Sequence, residues 1–119
     1  MNKKAKILIA DDSEFMRKVL KGMLEDGGLT NLIECSNGRE CLDVFKTGNP
    51  DLVLLDIIMP EIDGMEVLKQ IGGKVSVIMV SAVGQEKVMD EAKRYGALGY
   101  IVKPFDKNQV LEKVGQVLG

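Results

Sequence analysis

The stretch Ile7-Leu8-Ile9-Ala10-Asp11-Asp12 sets the reading of the whole chain. Its apolar residues run without polar alternation until two acids stop them. A strand buried on both faces reads this way, and such strands belong to parallel sheets. The pattern returns along the chain, giving runs at Lys6–Ala10, Leu32–Cys35, Leu52–Leu55, Val75–Val80 and Gly99–Val102. The second run is short and more mixed, which predicts a strand at the sheet edge.

Between the runs the spacing changes to that of a helix. Phe15, Met16, Val19, Leu20, Met23 and Leu24 make one apolar stripe, and Cys41, Leu42 and Phe45 a second. Met65, Leu68 and Ile71 mark a third helix, Val88, Ala92 and Tyr95 a fourth, and Val110, Leu111, Val114, Val117 and Leu118 a fifth. The Met and aromatic positions among them are expected in the core. Asn37 with Glu40, Asp63 with Glu66, and Asp106 with Gln109 resemble capping boxes, with Asx in place of Ser or Thr. Gly27-Gly28, Gly48-Asn49-Pro50, Gly72-Gly73 and Gly96 supply the stops.

Strands joined by single helices lie parallel, because parallel neighbours need crossover connections, and those crossovers are right-handed. The strands are too few for a (βα)₈ barrel. An open three-layer α/β sandwich is left, a (βα)₅ fold with the flavodoxin-like strand order 2-1-3-4-5. At 119 residues the chain is expected to be one domain, residues 1–119. A chain of that size buries about 65% of its unfolded surface, enough for a core without staples.

Composition removes several function classes. The net charge of −2 argues against nucleic acid as a partner. There is no histidine, which excludes Ser-His-Asp and Cys-His nucleophiles and most zinc sites. Cys35 and Cys41 fit no metal spacing and are expected to be free thiols in a reducing compartment. Lys3, Lys4 and Lys6 precede an apolar run too short for a secretory signal. No segment approaches the ~18 apolar residues of a membrane span. A cytoplasmic protein is expected, with no membrane partner.

The chemistry should lie at the carboxyl ends of the strands, near the point where strand order reverses. Asp11 and Asp12 follow the first run, Asp56 the third, Ser81 the fourth and Lys103-Pro104 the fifth. In the order 2-1-3-4-5 the first and third strands are neighbours, so the acids meet in one cleft. Crowded carboxylates take up a proton unless a cation intervenes. An all-oxygen donor set favours Mg²⁺ or Mn²⁺. Mg²⁺ takes one or two carboxylates and leaves another free to react as a nucleophile toward phosphorus. A lone acid at a strand end is as readily a helix cap; the ordered set is far more specific.

With these residues in place, the chain resembles the receiver domain of two-component response regulators over its whole length. The motifs carrying the resemblance are Ile7 to Ser13, Leu54 to Pro60, Asp63-Gly64, Ser81-Ala82 and Lys103-Pro104-Phe105. It implies that Asp56 accepts a phosphoryl group from a sensor histidine kinase. It implies that Asp12, Asp56 and the Ile58 backbone carbonyl hold Mg²⁺, with Asp11 acting through a bound water. Lys103 would pair with the phosphoryl oxygens, Ser81 would donate a hydrogen bond to them, and the Lys103-Pro104 bond would be cis. Phosphorylation adds about −1.5 to −2 charges. Ser81 and Lys103 are expected to reach that group only when their loops move inward, and Tyr100, the aromatic switch residue, to turn in with Ser81. Lys87, Lys93, Arg94 and Lys107 would lie near that face as solvated charges.

Ser81 stands where the family more often has Thr. Ile58 and Val83 are apolar where the family tunes water access to the phosphoryl group, which implies slow intrinsic dephosphorylation. The wording from Asp11 to Arg17 and from Ser81 to Gln85 is similar to chemotaxis response regulators of the CheY type. That resemblance implies a CheA-like kinase upstream, and a flagellar or archaellar motor protein or an adaptor downstream. A phosphatase is a further partner, and a monomer the expected state. Because the sequence stops at Gly119, output is expected through protein contact or relay. The alternatives are a single-domain phosphorelay carrier outside chemotaxis and a Mg²⁺-dependent aspartate-nucleophile phosphatase. The phosphatase would resemble a DxDx signature, from which Asp11-Asp12-Ser13 departs. A flavodoxin-like FMN carrier would need Gly, Ser or Thr where the two acids stand. The resemblance thus describes a switch that catalyses only its own phosphotransfer and dephosphorylation.

Overall fold

The computed structural model describes residues 2–119. In chain order the elements are β1 (Ile7–Ala10), α1 (Glu14–Asp26), β2 (Leu32–Cys35), α2 (Gly38–Gly48), β3 (Leu52–Leu55), α3 (Gly64–Ile71), β4 (Ser76–Ser81), α4 (Glu86–Arg94), β5 (Gly99–Val102) and α5 (Lys107–Leu118). All strand pairs are parallel, and the order is β2-β1-β3-β4-β5. The mixed run Leu32–Cys35 does form an edge strand. It is half-buried along most of its length, whereas β1 and β3 are buried throughout.

The sheet divides the core in two. Alternate side chains of the strands face opposite ways. Leu8, Ala10, Val53, Leu55, Val77 and Met79 pack with Cys41, Val67, Leu68 and Ala92 on one face. Ile7, Ile9, Leu52, Leu54, Ile78 and Val80 pack with Leu20, Leu24, Val110 and Val114 on the other. Helices α2, α3 and α4 therefore cover the first face, and α1 with α5 the second.

Helix starts follow local chemistry. Asn37, Asp63 and Asp106 each accept a hydrogen bond from the backbone N–H three residues on, and so does Ser13, whose role the sequence did not reveal. Among the described residues, the reciprocal bond of a full capping box exists only between Gln109 and Asp106. Helix α4 begins at Gln85 with no side-chain cap. Asn49 ends α2 in the left-handed region at φ 47°.

Two expectations of burial fail. Phe15 is 74% exposed. Adjacent helical residues point about 100° apart, so Phe15 and Met16 cannot share the core face; Met16 lies on the row of Leu20 and Leu24, the buried residues of α1. Tyr95 caps α4 at 41% exposure, with the Lys69 ammonium 5.1 Å from its ring centre. Two strands also differ by a residue at their ends. β1 starts at Ile7, and β4 runs Ser76–Ser81, so Ser81 lies inside the strand, while Val75 makes a single bridge to Gly72.

Gly64 fixes the distance between α3 and the end of β3. Its N–H donates to the Ile57 carbonyl at 2.6 Å, and an added Cβ would lie 1.8 Å from the Asp56 carbonyl oxygen. Alanine for glycine ordinarily gains about 1 kcal/mol in a helix. Here Gly64→Ala is expected to cost about 1–3 kcal/mol through overpacking against backbone. An unchanged or raised urea midpoint would show that the α3–β3 contact yields.

Candidate functional site

Strand register assembles the site. Ala10 of β1 pairs with Leu55 of β3, so the next residues, Asp11 and Asp56, emerge side by side. Backbone bonds fix both: Asp11 N–H donates to the Cys35 carbonyl at 3.1 Å and Asp56 N–H to the Ala10 carbonyl at 2.9 Å. On the other flank Ser81 pairs with Val102, and Lys103 N–H donates to the Ser81 carbonyl at 2.9 Å. The Lys103-Pro104 bond is cis, as the resemblance implied.

Carboxylate oxygens of Asp11, Asp12 and Asp56 lie within 4.8 Å of one another. Asp11 and Asp56 are buried, and Asp12 is exposed. The Lys103 ammonium sits 2.7 Å from Asp11 Oδ2 and 3.0 Å from Asp56 Oδ2. This overturns the expectation that Lys103 reaches the site only after a loop movement. Two buried carboxylates already attract the ammonium, so it rests between them. Asp11 Oδ1 accepts from Ser13 N–H at 2.9 Å. Both oxygens of Asp11 are thus engaged, while Asp12 makes no side-chain bond among the described residues.

The charges perturb one another. Burial raises the Asp56 pKa above its ordinary value; the Lys103 hydrogen bond and charge oppose this, and the Asp11 charge reinforces it. Burial works against the Lys103 ammonium, but hydrogen bonds to Asp11 and Asp56 outweigh it and raise its pKa. Lys103 therefore stays charged at neutral pH. The donor set is all oxygen, with one exposed carboxylate lacking a partner, which suits a hard divalent cation.

Ser81 is fully buried, and its Oγ accepts from Val83 N–H at 3.2 Å. Tyr100 is half-buried, and its hydroxyl donates to the Val83 carbonyl. Burial pushes the Tyr100 pKa up, against the pull of the Ser81 hydroxyl and with the push of the Asp56 charge. Ile58 is 64% exposed beside the acids, and Val83 is half-buried. Lys87, Lys93, Arg94 and Lys107 are exposed, and Lys107 pairs with Asp26 at 3.6 Å. Cys35 and Cys41 are buried free thiols; the neighbouring Cys41 thiol and burial hold Cys35 protonated.

One contributor escaped the sequence reading. Arg17 of α1 donates from Nη1 to the Asp11 carbonyl at 2.8 Å and from Nε to Glu34 Oε1 of β2 at 3.1 Å. Long helical side chains lean toward the helix N-terminus. An arginine one turn into the helix after Asp11-Asp12 could have been suspected on that ground. Its partner Glu34, across the β1–β2 pairing, gives no such signal.

A raised pKa on Asp56 means that the folded state favours its protonated form. The resulting penalty is absent below the ordinary Asp pKa and complete above the folded one. Asp56→Asn is therefore expected to melt several degrees higher than the parent at pH 7. The gap should close as pH falls from the raised folded pKa to the ordinary Asp value. A lower melting temperature for the variant at pH 7 would show that the Lys103 attraction outweighs burial.

Residues 7–115 match the response regulator receiver domain family. The chain is 41% identical over 116 residues to chemotaxis protein CheY of Bacillus subtilis, covering 95% of this chain and 97% of that protein. It is 41% identical over 115 residues to chemotaxis protein CheY of Halobacterium salinarum, covering 94% and 95% of the two. The fold superposes on a chain of the CheX–CheY–BeF₃–Mg²⁺ complex from Borrelia burgdorferi with a TM-score of 0.91 and 34% identity, covering 97% of this chain and 90% of that one. Matching family, relatives and fold over nearly its full length, the chain belongs to the response regulator receiver domains and is similar to those of the CheY kind.

Proposed function

We propose that the chain, as one receiver domain over residues 1–119, is a chemotaxis switch phosphorylated on Asp56 by a CheA-like histidine kinase. Output passes by contact to a flagellar or archaellar motor protein or an adaptor. The observation that carries this reading is the convergence of Asp11, Asp12 and Asp56 beside the Lys103 ammonium. The chemotaxis names of the relatives from Bacillus subtilis and Halobacterium salinarum support the pathway. The chain would act in the cytoplasm; no described helix is long and apolar enough to cross a membrane.

In the transfer, an Asp56 carboxylate oxygen attacks the phosphorus of a kinase phosphohistidine. The O–P bond forms as the N–P bond breaks, and the released imidazole keeps the electron pair and takes up a proton. Lys103, 3.0 Å from Asp56 Oδ2, meets the charge of the arriving oxygens. Ser81 would turn its hydroxyl from the Val83 amide to a phosphoryl oxygen. Mg²⁺, with Mn²⁺ as a substitute, would be held by Asp12, Asp56 and the Ile58 backbone carbonyl, with Asp11 acting through a bound water. When bound, the cation supplies charge that offsets repulsion between the carboxylates and the phosphoryl group. The Mg²⁺ of the Borrelia burgdorferi complex supports that choice of ion, and its CheX supports a protein partner.

Because Lys103 is already paired, phosphorylation exchanges its bonds instead of adding one. The new bond from Ser81 is worth roughly 1.5–3 kcal/mol. Reversing a 1:99 equilibrium takes about 5.5 kcal/mol. On this reading the phosphorylated chain remains a mixture of states, and partner binding completes the shift of Tyr100 and its surface.

Incubation with acetyl phosphate and Mg²⁺ is expected to add one phosphoryl group to the intact mass, and none without Mg²⁺ or in Asp56→Asn. No gain under any condition would leave a binding module without the switch. Ile58→Asn is expected to speed decay of the phosphorylated form by admitting water beside the acyl phosphate. An unchanged decay rate would remove Ile58 from that role.

A further inference from the structure

The acidic loop after β1 is held from an unexpected side. Each polar atom of Asp11 has a partner. Its N–H donates to the Cys35 carbonyl, its Oδ1 accepts from Ser13 N–H, its Oδ2 accepts from Lys103, and its carbonyl accepts from Arg17 Nη1 at 2.8 Å. The last of these bonds reaches beyond Asp11. The Asp11 carbonyl and the Asp12 N–H belong to one planar peptide unit. Fixing the carbonyl therefore fixes the direction in which Asp12 leaves the strand.

Asp12 needs that help. It is the exposed member of the acid cluster and makes no side-chain bond of its own among the described residues. Arg17 can provide it because it is itself anchored. Its side chain is 15% exposed, and its Nε donates to Glu34 Oε1 at 3.1 Å, while the Lys21 ammonium stands 3.7 Å from the other Glu34 oxygen. Glu34 sits on β2 opposite Ile9 of β1, and the following residue, Cys35, takes the Asp11 N–H. The peptide on either side of Asp11 is thus tied to neighbouring positions of one strand, directly through Cys35 and through Arg17 by way of Glu34.

We infer that Arg17, anchored by Glu34, is a positioning residue that aims Asp12 at the divalent cation by fixing the Asp11–Asp12 peptide plane. This rests on the reading of the acid cluster as a Mg²⁺ site. The planar guanidinium is essential, since it donates in two directions from one rigid group, which a lysine ammonium on a flexible stem does not reproduce.

The sign of the effect separates this role from simple electrostatics. Removing a positive charge beside a divalent-cation site strengthens cation binding by Coulomb's law. Removing a positioning residue weakens it, and loss of a group that orients a metal ligand typically costs about 10–100-fold in affinity. Calorimetric titration of the unphosphorylated protein with MgCl₂ reads the difference, without reference to phosphotransfer. Arg17→Ala is expected to raise the Mg²⁺ dissociation constant about tenfold. Arg17→Lys should fail to restore it, and Glu34→Gln, which retains an acceptor for Nε, should stay near the parent value. Glu34→Ala serves as the second variant if Arg17→Ala does not fold, and is expected to weaken Mg²⁺ in the same direction. In the double variant the two losses should fall short of their sum, since both break one tie.

An Arg17→Ala protein that is folded and binds Mg²⁺ as tightly as the parent, or more tightly, overturns the proposal. So does full restoration by Arg17→Lys. A parent protein that takes up no Mg²⁺ overturns the underlying reading of the site, and the positioning role with it.

Discussion

Everything at the carboxyl edge of the sheet is arranged around one electrostatic problem, the placing of acids on adjacent parallel strands. Parallel register leaves no freedom here: once Ala10 pairs with Leu55, Asp11 and Asp56 are neighbours. Two carboxylates that close, both buried, stay ionised together only with a cation between them. Lys103 is that cation, delivered from the far end of the sheet by β5. The strand order and the bond from Lys103 N–H to the buried end of β4 at Ser81 are both parts of the path that brings the ammonium there.

If Asp56 is the phosphoacceptor, as proposed, a resident ammonium also changes the character of the switch. A site that waited for its lysine would gain a bond on phosphorylation. A site already neutralised gains less, because breaking the old pairings offsets much of what the new ones give. The balance then lies with the hydroxyl of Ser81 and with whatever surface Tyr100 presents. On the proposed function, signalling would be graded by the partner as well as by the covalent group.

Much of this was legible in the residues. Continuous apolar runs located the strands to within a residue at each end, because a strand covered on both faces has no polar positions to blur its limits. The acids, Ser81 and Lys103 were legible because they close those runs, at the sheet edge where an open parallel fold binds its ligands. What stayed hidden depends on geometry between elements. Phe15 looked like part of a stripe, but a stripe has finite width, and only the row through Met16 faces the sheet. Ser13 lacks Glu or Gln at the third helical position, so its cap carried no capping-box signature. Arg17 was visible only as part of a family motif. Its meaning comes from Glu34, whose place beside β1 is fixed by the edge pairing.

The helices flanking the site are not equally secured. On one flank, α3 has an Asp63 cap, buries Val67, Leu68 and Ile71, and rests its first glycine against the backbone of Asp56. On the other, α4 has no side-chain cap and buries only Ala92. Local opening costs less free energy where fewer apolar groups and end bonds must be given up. The molecule thus has a stiff side and a compliant side, like a beam clamped at one end. Strain introduced between them, by the proposed phosphorylation for example, would relax toward α4, so the direction of a response would be set by unequal anchoring already present in the resting fold.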